Sequence, residues 1–305
     1  MNAVSKVPFS IIGLGTIVVD HQVWLKMLPK PDTKSEVLSD AFQVGGPVPT
    51  ALTLLSGLGV RASFIGKWSR DDCGKMIDAN LDRSGVGREC SIVSSTVRSG
   101  FAHVWVEAGT GRRSIAAYRG SHALEPGDLT GVEWTDFQAL HLDGWSTEAA
   151  IVAAGQMKAA GGRVFLDLGS PKPHLESLVR VTDWLNCPLH LLERLYPGES
   201  LEKAGNRLIE MGVAEVTVTH GDAGAWLIGA KGVTHQPAFS IDAVDTNGAG
   251  DVFSGAMIYG IMSGWAPEQR LRFASAAAAL KCCGLGNREV LPTLERIESF
   301  LSEKF

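Results

Sequence analysis

The sequence predicts an α/β protein built on a doubly wound, mostly parallel sheet with helices on both faces. Short apolar runs, helix-like runs and glycine turns alternate along most of the chain, which is the pattern of βα units. Early examples are the strands at 9–15 and 60–66 and the helices at 47–59 and 71–85. At 305 residues, with 45% hydrophobic and 20% charged residues, the chain suits one large globular domain, and we expect a single domain over 1–305.

Two stretches, 20–46 and 97–124, break this alternation and look like β-hairpins. The second carries alternating apolar residues, a Gly–Thr–Gly–Arg turn and a return strand. A small β lid formed from about 16–46 and 97–122 would use both stretches and would cover the C-terminal edge of the sheet, where open α/β sheets bind ligands. An edge hairpin that serves as a dimer interface is the alternative, and the two roles are compatible.

Composition and charge exclude several classes of function. A net charge of −5 and a pI of about 5.9 argue against binding to nucleic acid or to an anionic membrane, because either partner requires a basic surface. No apolar run is long enough to span a membrane, and the first residues lack the features of a secretory signal, so we expect a cytoplasmic protein. The five cysteines and eight histidines show no metal-binding spacing, and neither a zinc site nor a thiol enzyme is expected.

The segment VDTNGAGDVFSGAMIYGI at 244–261 places three small residues and an acid directly before an apolar helix. Backbone N–H groups at a helix N-terminus bind anions, phosphate above all, and Gly248, Ala249 and Gly250 allow close approach to them. Asp251, in the first turn, could merely compensate the helix dipole. Beside an anion-binding turn it could instead accept the proton of an attacking hydroxyl while the turn stabilises a transferred phosphoryl group. The chain has no GxxxxGK(S/T) loop, which excludes P-loop chemistry.

DTNGAGD at 245–251 resembles the DTxGAGD signature of the PfkB, or ribokinase-like, carbohydrate kinases. Three further segments resemble that family in the same order: the glycine pair at 45–46 with the stretch 55–77, the nucleotide segment at 218–227, and the closing helix and loop at 273–293. The resemblance covers nearly the whole chain, and its C-terminal third is most similar to the ketohexokinase and sulfosugar kinase branch. It implies a ribokinase-like fold and an ATP-dependent kinase that acts on a sugar hydroxyl, with Mg²⁺ accompanying ATP.

The resemblance also implies roles for individual residues. Asp251 would be the general base, and the backbone of Gly248, Ala249 and Gly250 would form the anion hole. The residues implied to bind the sugar are Asp20, Gly45, Gly46, Thr50 and Asp143. Those implied to bind the nucleotide are Thr219, Gly221, Gly224 and Asn287. In some relatives the region of the turn also binds a monovalent cation, and we expect a homodimer joined through the β lid, with a small sugar or sugar derivative as the partner.

Three departures from the family pattern bear on the substrate and the metal. GGPVPT at 45–50 replaces the ribokinase pattern GGKGAN, so Thr50 stands where an asparagine contacts the sugar, which weakens a ribose assignment. Gly144 stands where a sulfonate-binding arginine is expected, which argues against sulfofructose. PLHL at 188–191 replaces the NxxE motif that organises Mg²⁺, so the metal would be held mainly by the phosphates and by water.

Charged and aromatic residues leave further alternatives open. Arg119, just after a predicted strand, is the candidate contact to an anionic substrate or to the ATP phosphates, whereas the arginines at 112–113 are assigned to solvent at the hairpin tip. A nucleoside kinase of the same fold could stack a base on one of three tryptophans, Trp24, Trp105 or Trp145. A catalytically silent ligand-binding regulator is a further alternative, although the intact Gly–Ala–Gly–Asp turn argues against it.

Overall fold

Strands and helices alternate along the chain as predicted, and the computed structural model describes them over residues 9–109, 112–118, 123–286, 288 and 290–303. The strands within these residues are β1 (Ser10–Leu14), β2 (Val18–Leu25), β3 (Val37–Gly45), β4 (Arg61–Ile65), β5 (Lys67–Ser69), β6 (Val86–Gly87), β7 (Ile92–Ser94), β8 (Phe101–Glu107), β9 (Arg113–Tyr118), β10 (Ala139–Leu142), β11 (Arg163–Asp167), β12 (Trp184–Pro188), β13 (Glu215–Thr219), β14 (Ala225–Gly229) and β15 (Gly232–Gln236). The helices are α1 (Pro47–Gly57), α2 (Asp72–Arg83), α3 (Thr147–Ala159), α4 (Leu175–Arg180), α5 (Leu189–Leu195), α6 (Leu201–Glu210), α7 (Ala249–Met262), α8 (Pro267–Cys282) and α9 (Leu294–Glu303).

The large sheet contains nine strands among the residues described, in the order β15-β14-β13-β12-β11-β10-β1-β4-β6. Neighbouring strands from β6 to β13 are parallel, and β14 and β15 continue the sheet as antiparallel strands. The chain first builds outward from β1 through β4 to β6, and then returns to β10 on the other side of β1. This reversal makes the carboxyl ends of β1 and β10 the topological switch point, where open α/β sheets form a binding crevice.

Helices cover both faces of the large sheet because its strands are apolar on both sides. In β1, Ile11 belongs to one buried cluster, whereas Ile12 and Leu14 belong to the other. The first cluster packs under α1, α2, α7, α8 and α9, and the second under α3, α4, α5 and α6. The predicted α/β fold with a mostly parallel, doubly wound sheet is confirmed. None of the helices within the described residues is both long and apolar enough to cross a membrane.

The two hairpin-like stretches form a separate small sheet with the order β3-β2-β8-β9 in the described part of the chain. β2 pairs antiparallel with β3, and β8 pairs antiparallel with β9. A parallel pairing of β2 with β8, which begins at Val19 opposite Phe101, joins the two hairpins. Local alternation in the sequence therefore predicts the hairpins, whereas the parallel pairing between them is set by tertiary structure.

Small residues in α7 allow this helix to pack closely against α1. A Cβ atom placed on Gly255 would lie 2.9 Å from the backbone oxygen of Ala51 and 3.2 Å from its Cα. These distances are shorter than ordinary van der Waals contacts, so the two helix backbones meet where Gly255 has no side chain. The close packing fixes the position of the N-terminus of α7 relative to α1, on which the candidate site depends.

Replacing Gly255 by alanine is expected to lower the free energy of unfolding by about 1–3 kcal/mol, because the added methyl group meets the α1 backbone. The matched control is Gly155→Ala in α3, where a Cβ would meet no atom within 4 Å and the residue is exposed. That change is expected to stabilise the protein by about 0.5–1 kcal/mol through helix propensity. Urea unfolding followed by tryptophan fluorescence measures both, and equal effects of the two substitutions would contradict the packing argument.

Candidate active site

The N-terminus of α7 has the geometry of an anion-binding turn. Gly248 is the N-cap residue with φ +78° and ψ 2°, a left-handed conformation that favours glycine, and no side chain caps the helix. The N–H of Ala249 turns back to the carbonyl oxygen of Thr246 at 3.3 Å. The N–H groups of Gly250 and Asp251 follow in the first turn, where helical N–H groups have no partner within the helix.

The space in front of this turn is open at Gly250. Gly250 is exposed, and a Cβ atom there would meet no other atom within 4 Å. Packing within the protein therefore does not require glycine at this position. An anion that approaches the N–H groups would require it, because a side chain would fill the path of approach.

A cleft of about 150 Å³ lies between this turn and the carboxyl ends of β1, β10 and β11. Its lining residues come from the turn, from the start of α1 and from the loops after these strands: Thr16, Pro47, Asp143, Trp145, Asp167, Gly169, Ser170, Lys172 and Asp251. The structure thus brings together two residues that the sequence assigned to the site, Asp143 and Asp251. It also places one basic side chain, that of Lys172, on the same wall.

Asp251 is half-buried, and its surroundings make its carboxylate more basic than an ordinary one. Burial raises its pKa to about 6, and the nearby charge of Asp143 acts in the same direction. The positive charges of Arg288 and Lys281 oppose this rise. At neutral pH the carboxylate is ionised yet basic enough to accept a proton, which suits a general base.

Asp167 is a cleft residue that the sequence reasoning missed. It ends β11 and is buried, with Ser254 Oγ donating to its Oδ2 at 2.8 Å and Asn186 Nδ2 donating to its Oδ1 at 3.3 Å. Burial, and then the charge of Asp251, raise the pKa of Asp167 to about 7. The sequence did contain a signal for Asp167. The segment RVFLD at 163–167 is a strand-like run that ends in an aspartate, as does ALHLD at 139–143, which ends in Asp143.

Asp143 is held rigidly at the switch point of the sheet. Its Oδ2 accepts the N–H of Thr16 at 2.7 Å, and its Oδ1 accepts the N–H of Trp145 at 2.9 Å. The carboxylate therefore links the ends of β1 and β10. A carboxylate oxygen has more than one lone pair, so these bonds leave acceptor capacity toward the cleft.

Asp20 lies on β2 of the small sheet, next to the glycine pair that precedes α1. Burial raises the pKa of Asp20 to about 6, against the opposing charge of Arg288. A Cβ atom on Gly45 would lie 2.5 Å from Asp20 Oδ2, so the glycine makes room for this carboxylate. Gly46 caps α1 with φ +116°, again a conformation that favours glycine.

Thr50, assigned to the sugar, lies in the first turn of α1, shortly after the glycine pair. Its side chain is fully buried in α1, and its hydroxyl donates to the carbonyl oxygen of Gly46 at 2.8 Å. The same hydroxyl accepts the Nε–H of Arg288 at 3.3 Å. The hydroxyl of Thr50 therefore holds the backbone of the glycine pair, and its direct contact with a sugar stays a prediction.

Arg288 is a second residue that the sequence reasoning missed. Its buried side chain donates to Thr50 Oγ1, to the side chain of Asn80 and, at 3.1 Å, to the carbonyl oxygen of Gly45. It therefore joins the loop after α8 to α1, α2 and the small sheet. Its charge acts on both Asp20 and Asp251.

Residues assigned to the nucleotide lie at the carboxyl end of β13, along the same edge of the large sheet. Thr219 ends the strand, Gly221 follows with φ +46°, and Gly224 has φ +96° before β14 begins. A Cβ on Gly224 would come within 2.7 Å of the backbone nitrogen of Ala238, so the turn is closely packed. Two assigned residues, Asn287 and Arg119, lie outside the described residues.

Residues 188–191, which stand in place of the NxxE motif, lie where β12 ends and α5 begins. Pro188 ends β12, and α5 begins directly with Leu189 and His190.

Arg112, assigned to solvent at the hairpin tip, is exposed, and its Nε lies 4.0 Å from Glu107 Oε2. Lys172 is the basic side chain that the structure places at the cleft: its Nζ donates to Ser170 Oγ at 2.9 Å and lies 6.0 Å from the ring centroid of Trp145.

A helix N-terminus with an adjacent basic carboxylate, at the switch point of a doubly wound sheet, defines an enzyme of the phosphotransferase class. The chain belongs to the pfkB family of carbohydrate kinases, whose sequence model matches residues 11–294. The expected family, its fold and its kinase activity are thereby confirmed.

Individual relatives agree with this family. The chain is 27% identical over 299 residues to an ATP-dependent ribose-1-phosphate kinase from Halopiger xanaduensis, covering 97% of this chain and 99% of the relative. It is 25% identical over 319 residues to a 5-dehydro-2-deoxygluconokinase from Shouchella clausii, covering 97% of this chain and 96% of that relative. The crystal structure of a ribokinase from Thermotoga maritima superimposes with a TM-score of 0.84 at 25% identity, covering 96% of this chain and 99% of that one.

Replacing Asp167 by asparagine is expected to stabilise the protein at pH 8 and to have a smaller effect at pH 5. The pKa of Asp167 is raised to about 7 from an ordinary value of 3.8, so between these values the folded state binds more protons than the unfolded state. The contribution of Asp167 to the free energy of unfolding therefore falls as pH rises, by on the order of 3 kcal/mol between pH 5 and pH 8. Asparagine cannot ionise, and its side-chain oxygen can still accept the Ser254 bond.

Denaturant unfolding at the two pH values measures this difference. The matched control is Asp242→Asn, since Asp242 is exposed, and it should change stability little at either pH. An Asp167→Asn effect that is the same at pH 5 and pH 8 would contradict the electrostatic account of this residue.

Proposed function

We propose that this sugar kinase transfers the γ-phosphoryl group of ATP to a hydroxyl of a sugar or sugar derivative, with Asp251 as the general base. The observation that carries the proposal is the placement of Asp251. Its carboxylate lies on the cleft wall in the first turn of α7, directly beside the N–H groups of Gly250 and Asp251 at the start of the helix. One carboxylate can therefore reach the attacking hydroxyl while the turn binds the phosphoryl group.

In the proposed step, the hydroxyl oxygen of the sugar attacks the γ-phosphorus of ATP. Its proton passes to Asp251, a bond forms between the sugar oxygen and phosphorus, and the bond from phosphorus to the bridging oxygen of ADP breaks. The N–H groups at the start of α7 stabilise the negative charge that the transferred group carries. The pKa of about 6 lets Asp251 be ionised before the step and hold the proton during it.

The nucleotide would bind along the edge of the sheet from the α7 turn to the end of β13. Thr219, Gly221 and Gly224 support this direction, since they lie at the carboxyl end of β13. Mg²⁺ bound with ATP would neutralise phosphate charge. The oxygen donors that fit such a hard cation are Asp167, which lines the cleft, and Asn186, which lies behind the cleft and donates to Asp167 Oδ1. The buried Oδ1 of Asn186 has no partner among the described residues. We propose that Asp167 and Asn186 hold the metal through water.

Two carboxylates, Asp20 and Asp143, are the proposed acceptors for sugar hydroxyls. The start of α1 offers few backbone donors, because Pro47 and Pro49 lack an N–H group and leave that of Val48 between them. Side chains therefore dominate the recognition of the substrate. Trp145, exposed on the cleft wall, offers an apolar surface for the sugar ring.

Lys172 supports a substrate that carries an anionic group. It lies beside Gly144, where a Cβ atom would lie 3.3 Å from Lys172 Cγ. The loop after β11 therefore supplies a cation at this place, although residue 144 itself is glycine.

Thermal-shift and ATP-turnover screens should compare ribose, ribose 1-phosphate, 5-dehydro-2-deoxygluconate and nucleosides. Preference for an uncharged sugar over all anionic ones would contradict the role of Lys172, and preference for nucleosides would select the nucleoside kinase alternative.

Asp251→Asn is expected to lower kcat by about 10²–10⁴-fold while ATP affinity stays nearly unchanged, because only proton acceptance is lost. In the wild-type enzyme, kcat/KM should fall as pH drops through about 6, since protonated Asp251 cannot accept the hydroxyl proton. Steady-state kinetics and nucleotide titration measure the two quantities. Asp242→Asn serves as the exposed control and should retain wild-type kinetics. Equal activity of Asp251→Asn and the wild type would remove the assignment of the base.

We propose that two copies associate through the small sheet. Phe42 on β3 is 56% exposed and stacks on His21 of β2 at 4.3 Å between ring centroids, which leaves an apolar surface on the sheet. Phe42→Asp is expected to convert a dimer to a monomer in light scattering after size exclusion. Val233→Asp, at an exposed apolar position on β15, is the control and should leave the dimer intact. A wild-type protein that is monomeric at micromolar concentration would contradict this proposal.

A further inference from the structure

Lys281 places an ammonium group inside the protein directly behind the anion-binding turn. Its side chain is fully buried in the last turn of α8, although lysines are almost never fully buried unless they are paired. Its Nζ donates to the backbone oxygen of Asp245 at 2.7 Å and lies 3.7 Å from Asp245 Oδ2. Asp245 begins the segment that leads into Gly248 and α7.

Asp245 is the junction between this segment and the end of α8. Its Oδ1 accepts the N–H of Asn247 at 2.9 Å, and its Oδ2 accepts the N–H of Gly286 at 3.1 Å. The backbone N–H groups of Val244 and Asp245 both donate to the carbonyl oxygen of Cys282, at 2.7 and 3.2 Å. The ammonium of Lys281 therefore lies where the segment 244–247, the end of α8 and the loop after α8 meet. A shift of the ammonium would move the turn.

Hard monovalent cations in proteins are coordinated by oxygen atoms, such as a backbone carbonyl and a carboxylate that are directed at the same position. A lysine ammonium carries the same single positive charge and satisfies the same oxygens by hydrogen bonds. Its position at the C-terminal end of α8 is also favourable for a cation, because the helix dipole is negative there. Burial lowers the pKa of Lys281, and the charge of Asp245 opposes that change.

The charge of Lys281 also reaches the catalytic carboxylate. It is one of the two positive charges that lower the pKa of Asp251 against the effect of burial. Lys281 thus performs two tasks that a bound cation would perform at this place. It fixes the backbone of the turn, and it adds positive charge behind the site of phosphoryl transfer.

We propose that Lys281 is a tethered cation: its ammonium takes the place of the free monovalent cation that the family resemblance leads one to expect at this turn. The residues around the described part of the turn do not fit a resident cation, since the ammonium already engages Asp245. Turnover should therefore not depend on added potassium. Lys281 is a positioning residue, because it acts through the turn and makes no contact with the reacting groups. This inference rests on the proposed kinase function.

The wild-type enzyme provides the first test, which needs no variant. Sugar phosphorylation is measured in KCl, NaCl, NH₄Cl and tetramethylammonium chloride at constant ionic strength. The expected result is that kcat/KM varies by no more than about twofold among the four salts. Activation by K⁺ or NH₄⁺ of about tenfold or more over tetramethylammonium, equivalent to about 1.4 kcal/mol, would overturn the proposal.

The second test is Lys281→Met, which keeps the length of the side chain and removes its charge. In tetramethylammonium chloride its kcat/KM should fall by about tenfold or more, which corresponds to loss of at least about 1.4 kcal/mol of transition-state stabilisation. K⁺ or NH₄⁺ should restore part of this loss. The matched control is Lys203→Met, an exposed lysine on α6, which should be unaffected by any of the salts. Full activity of Lys281→Met without K⁺, or a loss that no cation restores, would overturn the proposal.

A binding measurement separates this inference from the proposed function. The rise in Tm caused by Mg·ADP is recorded without sugar in KCl and in tetramethylammonium chloride. The rise should be equal in the two salts for the wild-type protein and larger in KCl for Lys281→Met. A larger rise in KCl for the wild type would contradict the tethered cation, even if no tested sugar were phosphorylated. If Lys281→Met does not fold, the wild-type salt series and this wild-type comparison still decide the matter.

Discussion

Three carboxylates share the small cleft at the carboxyl edge of the large sheet, and much of the surrounding structure serves to accommodate their charge. Asp143, Asp167 and Asp251 line the same space, and burial raises the pKa of each. Negative neighbours raise the pKa values of Asp167 and Asp251 further. A cleft of this kind can hold an ionised base at neutral pH only if positive charge lies close to it. The N-terminus of α7 supplies part of that charge, Lys172 on the cleft wall acts on Asp143, and two buried cations act on Asp251.

Both cations come from one segment of the chain, the end of α8 and the loop after it. Lys281 lies behind the Gly–Ala–Gly turn, whereas Arg288 donates to the carbonyl oxygen of Gly45 at the end of β3. Each opposes the effect of burial on Asp251. This segment therefore connects the turn before α7 to the glycine pair before α1, through hydrogen bonds and through charge. Any movement of the segment would change the basicity of Asp251 together with the position of the glycine pair.

The fold could be predicted from the sequence, and Asp251 could be proposed as the base, because both inferences depend on patterns that are local in the chain. Asp251 is adjacent to the glycines that it works with, and the strands carry their own periodicity. Folding alone brings three other charged residues close to Asp251, namely Asp167, Lys281 and Arg288. No spacing in the sequence relates them to it. The hydrogen bonds of Thr50 could not be predicted for the same reason. Its place after the glycine pair is visible in the sequence, but the side of α1 that faces the interior is decided by packing against Arg288 and Gly46.

Catalysis and recognition are divided between different elements of this structure. In the proposed mechanism, the base and the anion-binding turn belong to α7 and engage only what every substrate of a kinase has in common, a hydroxyl and a phosphoryl group. The groups proposed to distinguish one sugar from another lie on β2 and in the loops after β10 and β11: Asp20, Trp145 and Lys172. These loops can change without moving α7, because α7 is fixed by its own contact with α1 at Gly255. Relatives of similar identity that are named for different sugars are the expected consequence of this separation.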